Sequence, residues 1–385
     1  MTLDSFVGLI FFIGQWRLAA LILRRVRRWE ARRRSAGIFA MALFGILIAA
    51  GYALSFSEVT GRLQFPRTVG AVWGATAMCY LLISTFFVLV ELLTTPLRRH
   101  FDAVTDPGRR RVLHMARNAF AASPFAVVAY GALVQRTNFQ IKEVDLALAG
   151  LPTGLDGIRI LHLSDIHLGA FLSEAELARV IDAACELRPH IAFATGDFIS
   201  TFGDPLEACI RQLARVKADA GTFGCLGNHE RYARAESDTV ALAARAGIPI
   251  LRGEARRLQF GNAFLNIAGV DYQPLFHKEA YLAGAGSLVY PGALNLLLSH
   301  NPDVFAVAAK QGYDLMLAGH THGGQVAVEI LDQAINPARF FTPYVSGLYR
   351  LDRAAAYVTR GIGTIGIPAR IGAPPEITLL RLRKA

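Results

Sequence analysis

Short apolar runs in this chain end, at five places, in side chains that are able to bind a metal ion. The first run, residues 158–163, is followed by Asp165 and, two positions later, by His167. An Asp-x-His pair at a strand end places two metal-binding groups on one side of an extended backbone. A single pair of this kind often arises by chance, so its weight comes from the four later segments that repeat the design. The candidates are two aspartates, one asparagine and at least four histidines, drawn from Asp165, His167, Asp197, Asn228, His229, His300, His320 and His322.

This set of side chains is larger than one metal ion needs. Seven nitrogen and oxygen ligands exceed the four that a zinc ion usually takes. They match two ions that share a bridging carboxylate and lie roughly 3.5–4 Å apart. The set contains no thiolate, which leaves Mn, Zn and Fe as candidates. A hydroxide held between two such ions is a nucleophile at neutral pH, and the ions clamp the oxygens of a phosphoester during in-line attack. Phosphoester hydrolysis is therefore the chemistry that these residues predict.

The same apolar runs predict the elements that carry the ligands. Residues 139–148 alternate as a strand does, and 173–187 has the pattern of an amphipathic helix with Ser173 as N-cap and Glu176 three positions on. Loops at the carboxyl ends of strands in an α/β sheet meet in one crevice, which would bring the ligands together. Alternating strands and helices, followed mainly by strands, predict an α/β fold: a two-sheet β-sandwich flanked by helices. Further helices are predicted at 205–217 and 236–246, and further strands at 258–260, 263–270, 294–298, 315–318, 324–328, 355–359 and 376–381.

The front third of the chain predicts a membrane anchor. A mean hydropathy of +0.35 with 53% hydrophobic residues is high for a soluble protein. Residues 36–56 form a stretch of 21 residues without a charge, long enough to cross a bilayer at about 1.5 Å per residue. The weakest candidate, 6–23, is interrupted by Gln15, Trp16 and Arg17. Four such stretches in succession favour spans over buried core helices, and they lie at 6–23, 36–56, 70–93 and 113–134.

The loops between these stretches predict an orientation. Residues 24–34 hold seven arginines and residues 98–111 hold five, whereas residues 57–69 hold two. The positive-inside rule places the two arginine-rich loops in the cytoplasm and everything after residue 134 on the other side. We therefore expect a multi-pass protein of the inner or plasma membrane. Residues 1–135 would form the transmembrane anchor region, and residues 136–385 a catalytic domain on the periplasmic or extracellular side.

The basic charge of the chain belongs to this anchor. Residues 1–135 hold 16 Lys and Arg against 6 Asp and Glu, whereas residues 136–385 hold 24 of each. A nucleic-acid-binding protein would carry its positive charge on the globular part, so no nucleic-acid partner is expected. The four cysteines show no CxxC spacing and predict neither a zinc knuckle nor a disulfide framework.

The motifs, taken in order, resemble those of the calcineurin-like metallophosphoesterase superfamily. They span residues 165–322 and occur in the order found in that family. Residues 320–325 and 372–376 also resemble the membrane-anchored bacterial branch of the YaeI and YkuE type. The resemblance implies the metallophosphoesterase fold. The motifs that carry it are Asp165-x-His167, Gly196-Asp197, Gly227-Asn228-His229-Glu230, Ser299-His300 and Gly319-His320-x-His322.

The resemblance also implies a role for each residue. Asp197 would bridge the two metals, and His229 would lie beside the scissile phosphate and stabilise or protonate the leaving oxygen. His229 follows a ligand but is expected to point elsewhere, which suits a general acid. Asp165, His167, Asp197 and His322 would hold one metal, and Asp197, Asn228, His300 and His320 would hold the other.

This chain departs from the family pattern at Ser200. The family often has a second acid three residues after the bridging one, and Ser200 occupies that position. We expect this to alter the hydrogen bonding around the ligands rather than to remove a metal. Glu230 stands where Asp is also common, and little importance is attached to it.

The expected function is that of a membrane-anchored phosphoesterase with two divalent metals, acting on a phosphodiester or phosphomonoester, with a lipid-linked phosphoester as one candidate substrate. An alternative is hydrolysis of a nucleotide-linked acylated sugar in lipid A-type synthesis, which requires a cytoplasmic catalytic domain. A second alternative is a non-catalytic cell-envelope binding protein. A two-metal amidohydrolase is less consistent with the motifs, because such enzymes begin with His-x-His, which here comes last.

Overall fold

The described residues of the apolar front of the chain form four helices. The computed structural model describes residues 3–54, 67–102, 106–275, 277–330 and 333–385. The chain separates into two compact units, one formed mainly by residues up to Ala132 and the other mainly by residues from Leu133 onward. The helices of the first unit are α1 Leu3–Val26, α2 Ala31–Leu54, α3 Arg67–Asp102 and α4 Pro107–Leu133.

Three of the predicted spans coincide with helices that are long and apolar enough to cross a membrane. These are the spans predicted at 36–56, 70–93 and 113–134, although residues 55 and 56 lie outside the described part of the chain. Their charges are confined largely to the helix ends, as in membrane helices generally. The observed apolar stretches are Ala31–Leu54, Val72–Pro96 and Pro107–Thr137.

The first helix, α1, carries polar residues within its apolar stretch. α1 is helical over the predicted stretch 6–23, but it is not one of the three candidate spans found in the described residues. Gln15, one of the residues that interrupt it, bonds to α3. Its Nε2 donates to Ser84 Oγ at 2.5 Å, and its Oε1 accepts from the Tyr80 hydroxyl at 3.1 Å. Such bonds satisfy polar side chains between packed apolar helices. That α1 also crosses the membrane stays a prediction.

The second unit contains two large sheets. In the first, β1 runs parallel to β13, β13 runs antiparallel to β2, and β2, β3 and β4 run parallel. In the second, β12, β8, β7 and β6 run parallel, with β11 and β5 antiparallel at the edges. β9 and β10 pair separately. The strands are β1 Gln140–Leu148, β2 Arg159–Leu163, β3 Ile191–Thr195, β4 Thr222–Cys225, β5 Glu254–Phe260, β6 Ala263–Gly269, β7 Leu294–Leu298, β8 Leu315–Ala318, β9 Val328–Ile330, β10 Gln333–Ile335, β11 Gly347–Leu351, β12 Ala354–Val358 and β13 Glu376–Lys384.

The two sheets share one apolar core. Ile160 and Phe193 of the first sheet pack in the same buried cluster as Leu296 and Leu317 of the second. Alternate residues of the first sheet, such as Leu161, face the other way because successive side chains of a strand point to opposite faces. Helices cover both outer faces, so the predicted two-sheet sandwich flanked by helices is confirmed. The helices are α5 Glu174–Glu186, α6 Leu206–Leu213, α7 Asn228–Tyr232, α8 Glu236–Arg245 and α9 Phe305–Gln311.

One predicted strand, at 324–328, is wrong. The chain turns instead through a 3-10 segment, His322–Gly324, in which Gly323 has a φ of 60°. Asn336 Nδ2 donates to the carbonyl oxygen of Gly323 at 2.8 Å and holds the turn. The apolar residues after the turn were misread as a strand because their alternation does not reveal the left-handed glycine before them.

Candidate metal centre

The predicted ligands lie at the carboxyl ends of parallel strands. Asp165 follows β2 and Asp197 follows β3, while Asn228 begins α7 directly after the β4 segment. On the second sheet, His300 follows β7 and His320 follows β8. Because these strands are parallel within each sheet, their carboxyl ends lie along one edge, and the loops of both sheets meet there.

The backbone at these residues is strained. Non-glycine residues rarely adopt positive φ, and each such residue costs on the order of 1–3 kcal/mol unless the surroundings impose it. Strain of this kind is concentrated at functional sites, where it aims side chains that a relaxed loop would direct elsewhere. Five of the seven predicted ligands have this conformation: Asp165 (φ 51°), His167 (49°), Asp197 (55°), His320 (72°) and His322 (52°).

Two glycines leave room for the carboxylates. A Cβ at Gly227 would lie 2.1 Å from Oδ1 of Asp197, and a Cβ at Gly319 would lie 2.1 Å from Oδ2 of Asp165. Any larger residue would displace the carboxylate that it faces. The glycines in these motifs therefore serve close packing against the candidate ligands.

The first group of ligand atoms belongs to Asp165, His167 and His322, all within 4.8 Å of one another. Nε2 of His322 lies 3.3 Å from Oδ1 of Asp165 and 3.1 Å from Nε2 of His167. Two imidazole nitrogens and a carboxylate oxygen facing one point, all buried, form a donor set that suits a divalent cation.

The second group consists of Asp197, His300 and His320, again within 4.8 Å. Nε2 of His300 lies 3.0 Å from Oδ2 of Asp197. The same Oδ2 lies 3.5 Å from Nε2 of His167 in the first group. Asp197 therefore stands between the two groups, at the position predicted for the bridging carboxylate.

Asn228 supports the fit to a cation. Its Oδ1 is buried and has no hydrogen-bond partner among the described residues. Buried polar atoms are nearly always bonded, so an unpaired amide oxygen in the residue directly before His229 fits a metal ligand. His229 is the one predicted non-ligand in this area. Its ring also forms a group with His167 and Asp197, so geometry alone does not separate an acid from a ligand there.

The electrostatics of the site prepare the imidazoles for a metal. Burial lowers the pKa of both His167 and His320 to about 3, so these rings are neutral and keep a free lone pair. Burial also acts to lower the pKa of His300, but Asp197 and Asp165 raise it to about 10. Without a metal, a proton on His300 compensates the two carboxylates, and a bound cation would take that place.

The second ring nitrogen of His300 and of His167 contacts a polar group outside the two candidate ligand groups. Nδ1 of His300 lies 2.6 Å from the carbonyl oxygen of Thr195, and Nδ1 of His167 lies 3.1 Å from Oγ of Ser200. Bonds of this kind set the tautomer and orientation of a metal-binding imidazole. The hydroxyl of Ser200 thus contacts a ligand from the position where the family often has an acid.

Comparison with known proteins identifies the family. The model of the calcineurin-like phosphoesterase family matches residues 158–324, which contain all seven candidate ligands. The phosphodiesterase YaeI of Escherichia coli is 30% identical over 58% of this chain and 82% of its own length. The chain belongs to the calcineurin-like phosphoesterase family.

Two further relatives carry related names. The transmembrane protein with metallophosphoesterase domain of Danio rerio is 31% identical over 64% of this chain, and the match spans 58% of the length of that protein. The uncharacterized metallophosphoesterase YkuE of Bacillus subtilis is 28% identical over 70% of this chain and 98% of its own length. The resemblance to the YaeI and YkuE branch is confirmed.

Glu230 has a larger structural role in this phosphoesterase domain than its sequence motif indicates. The side chain is fully buried, and its Oε2 accepts from the backbone N–H groups of Gly227 at 2.8 Å and Asp197 at 2.9 Å. Its Oε1 accepts from the N–H of Phe198 at 2.8 Å. Glu230 thereby fixes the loop that carries Asp197. The sequence signal was an acid three residues after Gly227 at a helix start, which is the spacing of a capping box.

Replacing Glu230 with glutamine should lower the free energy of unfolding by about 2–3 kcal/mol, because one carboxylate oxygen becomes an NH₂ group that faces backbone donors. The midpoint of thermal unfolding of the detergent-solubilised protein measures the effect. Glu207, which is exposed on α6, provides the matched control, and Glu207→Gln should leave the midpoint unchanged. Equal midpoints for the two variants would contradict this role.

Arg370 is a second residue near the candidate centre, and no sequence motif indicates it. Its side chain is fully buried behind His322. Burial lowers the pKa of Arg370 to about 10, so it is charged at neutral pH.

Aromatic side chains border the candidate centre. The ring of Tyr272 lies 5.6 Å from the ring of His320 and 6.1 Å from that of His300. The ring of Tyr232 lies 5.4 Å from the ring of His229 and is 55% exposed. Phe202, in the loop after Ser200, is 66% exposed. Aromatic side chains beside a polar centre provide apolar surface for part of a ligand.

Proposed function

We propose that the protein is a membrane-anchored phosphoesterase with a binuclear metal centre. Residues 1–135 would form the anchor region and residues 136–385 the catalytic domain. The observation that carries the proposal is the position of Asp197, whose Oδ2 lies 3.0 Å from His300 Nε2 and 3.5 Å from His167 Nε2. A carboxylate shared by two groups of imidazoles is the arrangement that a two-metal hydrolase requires.

The ligands divide into two sets around this carboxylate. Two divalent ions, of Mn, Zn or Fe, would supply an attacking oxygen at neutral pH and charge stabilisation for the phosphoryl group. One ion would be held by Asp165, His167, Asp197 and His322, and the other by Asp197, Asn228, His300 and His320.

His229 would act on the leaving oxygen. Its backbone N–H donates to Oδ1 of Asp197 at 2.9 Å, and its Nδ1 lies 2.7 Å from the carbonyl oxygen of Ser200. A carbonyl only accepts, so Nδ1 carries a proton and Nε2 is the nitrogen that remains for the substrate. In the protonated ring, Nε2 would donate a proton to the departing oxygen.

The substrate that we favour is a phosphodiester with an apolar, lipid-linked part. One relative is named a phosphodiesterase, which supports a diester. Only residues 134–139 separate α4 from β1, and a lipid-linked substrate fits a catalytic domain that follows a membrane anchor so directly in the chain. The exposed ring of Tyr232, 5.4 Å from the ring of His229, supplies apolar surface beside the reacting group.

The test is turnover by the full-length protein in detergent. We expect hydrolysis of a nitrophenyl phosphodiester that requires Mn, Zn or Fe and stops with a chelator, and faster hydrolysis of a diester that carries an acyl chain. Metal content measured on the same sample should approach two ions per chain. Two bound ions without turnover of any mono- or diester would favour the cell-envelope binding protein instead.

The side of the membrane can be tested with fusions. Alkaline phosphatase fused after Ala385 should be active and green fluorescent protein at the same position dark, because the arginine-rich loops place this end outside the cytoplasm. Fusions after Asp106, in the loop predicted to be cytoplasmic, should show the opposite pattern. Fluorescence after Ala385 would overturn this orientation and favour the nucleotide-linked acylated sugar as substrate.

A further inference from the structure

Arg370 is a fully buried cation that bonds to the backbone of several segments. It is the largest fully buried side chain among the described residues. Its Nε donates to the carbonyl oxygen of Gly363 at 3.0 Å, and Nη2 donates to the same oxygen. Its Nη1 donates to the carbonyl oxygens of Arg360 at 2.8 Å, His322 at 3.2 Å and Ala373 at 3.2 Å. One guanidinium thus joins three loops.

One of these loops supports Asp165. The N–H of Gly363 donates to the carbonyl oxygen of Asp165 at 2.7 Å, and the N–H of Ile362 donates to that of Ser164 at 3.1 Å. A Cβ at Gly361 would lie 2.5 Å from Cβ of Asp165, so this segment is packed directly against the ligand. By holding the segment, Arg370 limits where the Asp165 carboxylate can move.

Arg370 also holds His322. Besides the bond to its carbonyl oxygen, Nη2 lies 3.3 Å from Nδ1 of the ring. The opposite nitrogen, Nε2, faces Asp165 and His167. The guanidinium therefore occupies the far edge of the imidazole and blocks its rotation away from the centre. Arg370 thus contacts His322 itself and the segment that is packed against Asp165, and these two residues would share one metal.

The choice of arginine follows from geometry. A planar guanidinium presents five donors in a rigid fork, whereas a lysine ammonium is a compact charge on a flexible stem. Only the fork reaches carbonyl oxygens on several segments at the same time. Burying a cation is costly unless such bonds compensate it, so a purely apolar side chain would be the simpler filler if packing were the only need.

We propose that Arg370 is a positioning residue for the metal shared by Asp165 and His322. The proposal rests on the proposed metal centre. It predicts a selective effect: loss of Arg370 weakens binding of this ion about 10- to 100-fold, as loss of a group that orients a metal ligand does, while the ion held by His300 and His320 stays bound.

The experiment measures Mn²⁺ binding to the full-length protein in detergent. We would compare wild type with Arg370→Gln and Arg370→Lys, by calorimetry and electron paramagnetic resonance. Wild type should bind two ions with a spin-coupled spectrum. Both variants should keep one tight site, with the uncoupled six-line spectrum of a single ion, because neither side chain restores the fork. Arg350→Gln, at an exposed arginine on β11, should behave as wild type.

The outcomes separate the possible failures. Two tight, coupled ions in a folded Arg370 variant would overturn the positioning role alone. Equal weakening of both ions, or failure of both variants to fold, would assign Arg370 to general stability and overturn it as well. Absence of Mn²⁺ binding by wild type would instead overturn the proposed centre, and this inference with it.

Discussion

Asp197→Asn should lower turnover at least about 10³-fold, the largest effect expected of any single substitution in this protein. Its Oδ2 faces imidazoles of both ligand groups, and its Oδ1 accepts from the N–H of His229. Asparagine removes the negative charge and turns an NH₂ group toward one of these partners. The bridge between the two candidate metals is lost, and with it the second ion.

The measurement is the rate of diester hydrolysis together with metal content. Asp352→Asn is the matched control, because Asp352 has nearly the same left-handed backbone, with φ 51° against 55°, but lies exposed on a turn. It should retain full activity. The bridging role would be refuted if Asp197→Asn kept two ions and lost less than tenfold in rate.

His229→Asn should lower turnover by about 10²–10⁴-fold and leave both metals in place, since general acids contribute in that range. The effect should depend on the leaving group. Nitrophenolate departs without help, so its esters should lose least, whereas alkyl diesters, whose leaving oxygen needs a proton, should lose most. This pattern distinguishes a proton donor from a ligand.

The same comparison of leaving groups decides whether His229 is a proton donor or a metal ligand. The ring of His229 lies close enough to His167 and Asp197 to count as a possible ligand. Loss of an ion in His229→Asn, with equal rate losses for nitrophenyl and alkyl esters, would assign it to the metal instead. His190→Asn is a control, since His190 accepts from the N–H of Arg159 at 2.9 Å, at the amino ends of β2 and β3 and away from their carboxyl ends.

The candidate centre was largely predictable from the sequence because its residues follow local rules. Each ligand directly succeeds a short apolar run, and parallel strands bring such positions to one edge. The position of Asp165, Asp197 and His300 after predicted strands was enough to predict that they lie at this edge. The order of the strands in the sheets was not needed. The capping box at Ser173 likewise needed only local spacing, and the helix begins at Glu174 as predicted.

Residues that act through distant backbone groups could not be predicted in this way. Arg370 bonds to carbonyl oxygens of residues 322, 360, 363 and 373. Every residue has a backbone carbonyl, so residue types do not identify these partners. The aromatic border has the same origin, because Tyr232 ends α7, which follows β4 of the first sheet, whereas Tyr272 lies in the loop after β6 of the second sheet. The turn at Gly323 was missed because a left-handed glycine interrupts an otherwise regular alternation.

The position of β13 has a consequence for biosynthesis. This strand lies between β1 and β2, where Gln140 pairs with Glu376 and His162 pairs with Thr378. The first sheet cannot close until the ribosome has made a strand more distant in the sequence than every other element of that sheet. Such long-range pairing folds slowly. If the domain is exported as proposed, β1 and one edge of β2 would stay unpaired while the chain crosses the membrane. Because β13 is made last, the domain would remain unfolded enough to cross the membrane, and folding would begin on the other side of the membrane.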